Sequence, residues 1–391
     1  MADHAVDDVV FDGGIFIYRG GRAPQHITHA RIDESLDEIE DEAFKDCEHL
    51  LMVDTHDGIR RVGKSAFYKC KSLRRINLKS AGEIDEYAFY FCENLESVDF
   101  GDRLETIGQS AFRFCERLVQ VDTHIRRVGK YAFQYCKSLR RINLKSAIKI
   151  EEWGFNNCES LESVQFDELE IIGDYAFYEC SSLTHLKLPS IITIGHRAFC
   201  KCKRLTDIEL SDRLETIGLQ AFANCQLRLQ RIAVPLKRDL FVFNDTNQKY
   251  NQFDDCYFLA TVDLVGGIDT TIASLHMESW RTEVNDEINR INQVLPNILA
   301  PEKTDEIQRW MDSVIEKFEH YKSEHNRYVK EGITLLELAL WKAKLGEKED
   351  KCVEGRAKKA KVDAESARQD KRMTCGADMV INNVLPFLHL E

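Results

Sequence analysis

The chain has 391 residues and a formal net charge of −13, with 66 Asp and Glu against 53 Lys and Arg. This acidic balance argues against a general nucleic-acid binder and otherwise implies little beyond solubility. No uninterrupted apolar run approaches the roughly 18 residues of a membrane span, and the acidic start Met1–Asp8 lacks a basic segment leading into an apolar one, so neither a membrane anchor nor a secretory signal is expected.

Residues 1–26 read as an N-terminal β-hairpin cap. Val9-Val10-Phe11 and Ile15-Phe16-Ile17-Tyr18 are β-prone runs on either side of the turn signal Asp12-Gly13-Gly14.

Residues 27–266 repeat one unit about ten times at a period of ~22 residues. Cys47, Cys70, Cys92, Cys115, Cys136, Cys158, Cys180, Cys202 and Cys225 follow one another at intervals of 21 to 23 residues, and Cys256 follows after a longer one. A phenylalanine stands three residues before each of these cysteines, from Phe44 to Phe253. Leucine usually stands three residues after, and apolar residues occupy the sixth and eighth positions, as in Ile76/Leu78 and Val98/Phe100. Leu-x-x-Ile-x-Leu alternates with period two, which predicts a short strand with one buried face. Ala-Phe-x-x-Cys spaces its apolar groups for a single helical or 3₁₀-like turn. One such unit cannot bury its own apolar face, whereas stacked units can.

Ile172 to Ser190 is the clearest copy, reading Ile-Gly-Asp-Tyr-Ala-Phe-Tyr-Glu-Cys-Ser-Ser-Leu-Thr-His-Leu-Lys-Leu-Pro-Ser. It resembles leucine-rich repeats of the BspA-like kind, whose unit reads approximately I-G-x-x-A-F-x-x-C-x-S-L-x-x-I-x-L-P. The resemblance implies a repeat solenoid of short parallel strands joined by helical or 3₁₀ turns, followed here by an α-helical C-terminal domain. For bacterial relatives it suggests a cell-surface adhesin or recognition role.

The chain has 13 cysteines, ten of them at the one repeating position. They read as small buried hydrophobes with inert thiols. No C-x-x-C pair is present, and the spacing of Cys200 and Cys202 is not that of a zinc knuckle, so no metal and no cofactor are expected. An odd number of thiols and no leader segment favour a reducing, intracellular and cytoplasmic location. The insertion at 236–250 lengthens one coil and reads as a surface loop.

Residues 267–391 read as a helical domain. Val284, Ile288, Ile291 and Leu295 keep helical spacing, as do Ile307, Met311, Val314, Phe318 and Tyr321, with Pro301 placed to begin the second helix. Thr334–Leu345 predicts a third helix, and the charged stretch 346–372 a flexible segment or exposed helix. The apolar tail from Cys375 to Leu388 would pack back onto the helices. Leu-Leu-Glu-Leu-Ala-Leu-Trp-Lys-Ala-Lys and Cys-Gly-Ala-Asp…Val-Leu-Pro-Phe-Leu make this part similar to the helical tail of a microalgal subset of BspA-like proteins. Lys358, Lys359 and Lys361 resemble a short nuclear-localisation run, which keeps nuclear import beside the cytoplasmic reading.

Residues 58–65, Gly-Ile-Arg-Arg-Val-Gly-Lys-Ser, match the phosphate-binding pattern G-x-x-x-x-G-K-S. The related block at His124–Tyr131 lacks the first glycine and the serine yet fits the same coil, so the match reads as a by-product of the repeat. His56 and His124 occupy equivalent positions three coils apart, ~14 Å by strand spacing and too far for one metal. No catalytic constellation is legible.

Alternation exposes the fifth and seventh positions after each cysteine: Arg75/Asn77, Ser97/Asp99, Gln120/Asp122, Arg141/Asn143, Ser163/Gln165, His185/Lys187 and Asp207/Glu209. This polar, mixed-sign strand face is the candidate protein-binding site. The expectation is a non-enzymatic protein–protein interaction scaffold that binds another protein through this face or the helical part, and no nucleic acid or membrane. Self-association through 267–391 is a further expectation. The alternatives are a cell-surface adhesin and, less favoured, a nucleotide-binding enzyme built on residues 58–65.

Overall fold

The computed structural model describes residues 11–121, 124–225, 228–242, 251–265 and 278–354. They belong to two compact units. One comprises the chain up to Val265 with Asp286–Asp312, the other Gly266–Asn285 with the chain from Ser313 onward.

The first unit is a parallel β-solenoid. In a typical coil the strand Arg75–Leu78 alternates exposed and buried, then turns at Ala81 into the two-residue strand Glu83–Ile84. The longer strands stack in parallel from Ile15–Tyr18 through Ser163–Gln165, and a further sheet runs from His185–Lys187 to Thr261–Leu264. The two-residue strands form a second stack, from Glu38–Ile39 to Thr216–Ile217. At the start, Phe11–Asp12 pairs antiparallel with Ile15–Tyr18 across Gly13 and Gly14, both at positive φ, and Ile15–Tyr18 then pairs parallel with His29–Ile32.

The Ala-Phe-x-x-Cys segment closes each coil with i→i+3 hydrogen bonds: the N–H groups of Ala66, Tyr68 and Cys70 donate to Gly63, Ser65 and Phe67 at 3.2, 3.1 and 3.1 Å. No helix propagates, because the residues five and one before the cysteine are left-handed, Ser65 at φ 54° and Lys69 at φ 58°. That conformation turns the intervening N–H groups sideways. Ser65, Phe67 and Lys69 donate to Glu86, Ala88 and Tyr90 of the next coil at 2.9, 2.7 and 2.8 Å. The turns are thereby a third inter-coil hydrogen-bond ladder.

The close stacking explains the Ile-Gly dipeptide. A Cβ on Gly195 would lie 2.6 Å from Asp174 N and Gly173 C of the preceding coil.

Inside, the ten repeat phenylalanines form one continuous stack, with ring centroids 5.0 to 5.7 Å apart and planes within 2 to 9°. Tyr18 tops it, 4.9 Å from Phe44, its hydroxyl donating to Gly21 O. The ladder cysteines are buried, and each thiol from Cys70 to Cys256 donates to the phenylalanine carbonyl of the coil before, at 3.0 to 3.4 Å. These thiols are donors as well as fillers.

Part of the 236–250 insertion is core rather than loop. Leu240 and Phe241 are buried, Phe241 bridges to Ile217, and its ring meets Phe253 edge-on at 5.9 Å. Residues 243–250 lie outside the described residues.

The end of the solenoid is closed by residues beyond the expected boundary at 266. Asn292 acts as a partner for the edge strand: its side chain accepts from Val262 N–H at 2.8 Å and donates to Val262 C=O at 3.3 Å. Lys303 Nζ donates to the carbonyls of Tyr257 and Leu259, and Thr304 Oγ1 accepts from Phe253 N–H. Helix α1 spans Glu278–Val294, two 3₁₀ turns follow, and helix α2 spans Lys303–Glu354. Thr334–Leu345 is therefore the continuation of α2 rather than a separate helix. No proline interrupts 303–354, and Arg327 pairs with Glu324 and Glu331 one turn to either side. The tail 375–388, Lys358, Lys359 and Lys361 lie outside the described residues.

Candidate functional site: the strand face and the turn face

The parallel register brings the predicted strand-face residues into rows. Arg75, Ser97, Gln120, Arg141 and Ser163 are aligned, as are Asn77 with Asp99 and Asn143 with Gln165. His185 aligns with Asp207, and Lys187 with Glu209. Asp122 lies outside the described residues. The remaining side chains are exposed, with Ser97, Asn143 and Asp207 half-buried.

The two ends of this face carry cross-strand ion pairs of their own. Arg31 pairs with Asp12 and Asp54, Lys187 with Glu209 at 3.3 Å, and Arg231 with Asp263 at 2.6 Å. Shallow grooves on this face include one of about 630 Å³ beside Arg75, Glu96 and Asp99 and one of about 370 Å³ beside Arg141, Asn143 and Gln165. Arg31, Asp54, Arg231 and Asp263 extend the rows beyond the residues selected from sequence.

Residues 58–65 form no phosphate cradle. Their amides are already committed: Arg60 N–H to Asp37 O, Gly63 N–H to Ile39 O, Lys64 N–H to Asp41 Oδ1 and Ser65 N–H to Glu86 O, at 2.7, 2.8, 2.8 and 2.9 Å. Lys64 Nζ lies 3.2 Å from Glu86, which also holds its pKa up.

The turn face carries a different chemistry. The left-handed residues hold their side chains outward, so identical positions of successive coils stack. Phe91 lies 4.4 Å from Phe114, Phe114 lies 4.9 Å from Tyr135, and Trp153 lies 4.0 Å from Tyr175, all nearly parallel. Tyr68 and Tyr90 stack at 5.2 Å. All seven rings are half-exposed. Cations lie over several of them: Lys130 over Tyr131, Arg197 over Tyr175, Lys201 over Tyr178, and Arg113 over Phe114 and Tyr131. Strand alternation in the sequence does not mark this face. Its signal was the aromatic recurrence at the variable positions of Gly-x-x-Ala-Phe-x-x-Cys.

The repeat description "BspA type leucine rich repeat region" matches residues 23–140 and 126–239, in six copies. The chain belongs to this BspA-type leucine-rich repeat family. Among solved structures, the BspA-type chain is similar to a leucine-rich repeat protein from Bacteroides ovatus, at 25% identity over 55% of this chain and 66% of that one, TM-score 0.41. It is also similar to a leucine-rich cell surface protein from Faecalibacterium prausnitzii, at 22% identity over 63% and 81% of the two chains, TM-score 0.29. The leucine-rich repeat protein of T. pallidum gives 22% identity over 54% and 80%, TM-score 0.30. No curated protein sequence matches this BspA-type chain significantly. Among its described residues no helix is long and apolar enough to cross a membrane.

Proposed function

We propose that this BspA-type repeat protein is a non-enzymatic interaction scaffold that binds another protein through the turn face of its solenoid. The observation that supports this reading is the half-exposed stripe of Tyr, Trp and Phe with Arg and Lys over the rings, on a backbone fixed by three hydrogen-bond ladders. Binding hot spots are enriched in Trp, Tyr and Arg, and a rigid presenting surface lowers the entropy lost on association. The strand face is the weaker candidate because the positions it exposes carry no Trp, Tyr or Phe side chain and the charges at its two ends already pair with one another.

The test is affinity capture from native cytosol with the full chain and two variants, Trp153→Ala on the turn face and Arg141→Glu on the strand face. Loss of the same partner in Trp153→Ala alone supports the reading. Loss in Arg141→Glu alone returns recognition to the strand face.

The proposal includes an intracellular, cytoplasmic location. The 11 described cysteines are free and buried, which suits a reducing compartment. Fractionation that recovers the chain on the cell surface would replace this with a surface-recognition role. It also includes self-association through the helical part, since Leu335, Leu338 and Trp341 are exposed along α2.

A further inference from the structure

Two coils at the middle of the turn face differ in charge from their neighbours. Between Gly108 and Leu118, and between Gly129 and Leu139, Arg113, Arg117, Lys130 and Lys137 stand with Glu116 as the one carboxylate. The turns on either side carry Asp85, Glu86 and Glu93, and Glu151, Glu152 and Glu159. The result is a basic island on an acidic chain.

Lys137 is neutralised by Glu116 at 2.9 Å and Lys130 by Glu152 at 2.5 Å. Arg113 differs. Its guanidinium carbon lies 5.0 Å from the ring centres of Phe114 and Tyr131 and 5.9 Å from that of Tyr90. Among the described residues it has no ion pair, and its Nε is buried without a hydrogen-bond partner. A guanidinium held against rings is preorganised and weakly hydrated, and its fork matches a carboxylate. Stacked side by side, the rings also present their rims, which are the electropositive part of an aromatic system.

We propose that this island receives a carboxylate side chain on an extended segment of a partner protein. The acid pairs with Arg113, and apolar groups beside it lie along Phe91, Phe114 and Tyr135. This rests on the turn face being the recognition surface. A nucleic acid fits less well, because its phosphates would continue onto the acidic turns on both sides.

The probes are three labelled synthetic peptides of Glu/Tyr/Gly, Gln/Tyr/Gly and Lys/Tyr/Gly composition, with oligothymidylate as the nucleic-acid control. Binding to the full chain is read by fluorescence anisotropy at low and physiological salt. The expected result is preference for the Glu peptide, weakening with salt, with affinity reduced at least about tenfold in Arg113→Gln and less in Arg113→Lys. Unchanged melting temperatures separate this from misfolding, and Arg141→Glu should bind as wild type.

Equal binding of the Glu and Gln peptides, lost in Trp153→Ala, would overturn acid recognition while leaving the turn face as the reader. Loss in Arg141→Glu instead would overturn both readings. Tighter binding of oligothymidylate would overturn the partner class, and no binding of any peptide would overturn the inference.

Discussion

A ladder cysteine does two things at once in this chain: it fills a small apolar space and donates its S–H to a carbonyl of the preceding coil. Alanine would leave that space and the second lone pair empty. Serine would shorten the reach of the donor, since O–H···O bonds lie near 2.7–2.8 Å, against the 3.1 Å from Cys136 Sγ to Phe112 O. Either change at Cys136 should lower stability by about 1–2 kcal/mol, measured by urea unfolding under reductant. Burial also raises the thiol pKa: Cys47 is pushed up to about 11, and Cys115, Cys158 and Cys180 rise well above the ordinary value. An acid whose folded pKa is raised stays protonated in the fold while the unfolded chain releases its proton. Stability is therefore fully present below the unfolded thiol pKa and falls as pH rises above it, by up to about 1.4 kcal/mol per pH unit for each buried thiol. The urea midpoint should be flat near neutrality and drop steeply between about pH 9 and 10, less steeply in Cys136→Ala. A flat alkaline profile under reductant would contradict the buried, protonated ladder.

At the scale of the element, the strands were legible because burial on one face imposes period two, and the Phe–Cys spacing was legible because one chemistry recurs. The outward turn was not. Left-handed residues are ordinarily signalled by Gly or Asn, yet Tyr87, Phe91 and Trp153 hold φ 58°, 59° and 60°. Their cost is offset by inter-coil hydrogen bonds and ring stacking, neither of which shows in one unit read alone. The closure by Asn292, Lys303 and Thr304 was equally hidden, since it pairs side chains with backbone groups of another segment. Asn292→Ala should leave Val262 N–H and C=O without those partners, at a cost of about 1–3 kcal/mol. Hydrogen exchange should rise over Thr261–Leu264 while the Phe44 end keeps its protection, and uniform change would contradict the assignment. On α2, Leu335, Leu338 and Trp341 are 61 to 68% exposed. A helix apolar on several sides is ordinarily covered, so the full chain should self-associate in light scattering, and Leu338→Glu should shift it toward the monomer. A monomeric wild type would remove the self-association proposal.

At the scale of the whole molecule, a solenoid couples its parts only through neighbours, so the severest change is one that parts two coils. Gly195 offers the cleanest case. Its N–H donates to Ile172 O at 2.8 Å, and a Cβ there would meet Gly173 C and Asp174 N at 2.6 Å. Those atoms are backbone, fixed by their own ladder, and cannot rotate aside as a side chain would. Gly218 stacks in the same way, since its Cβ would lie 2.6 Å from Gly195 C. Gly195→Ala should therefore separate the coils on its two sides rather than create a local defect, costing roughly 2–4 kcal/mol. Because the repeats before and after remain internally complete, unfolding should change from one transition to two, and exchange protection should fall first between Ile172 and Ile217. A single, slightly shifted transition would mean that the interface relaxes by sliding, and that these contacts do not carry cooperativity along the solenoid.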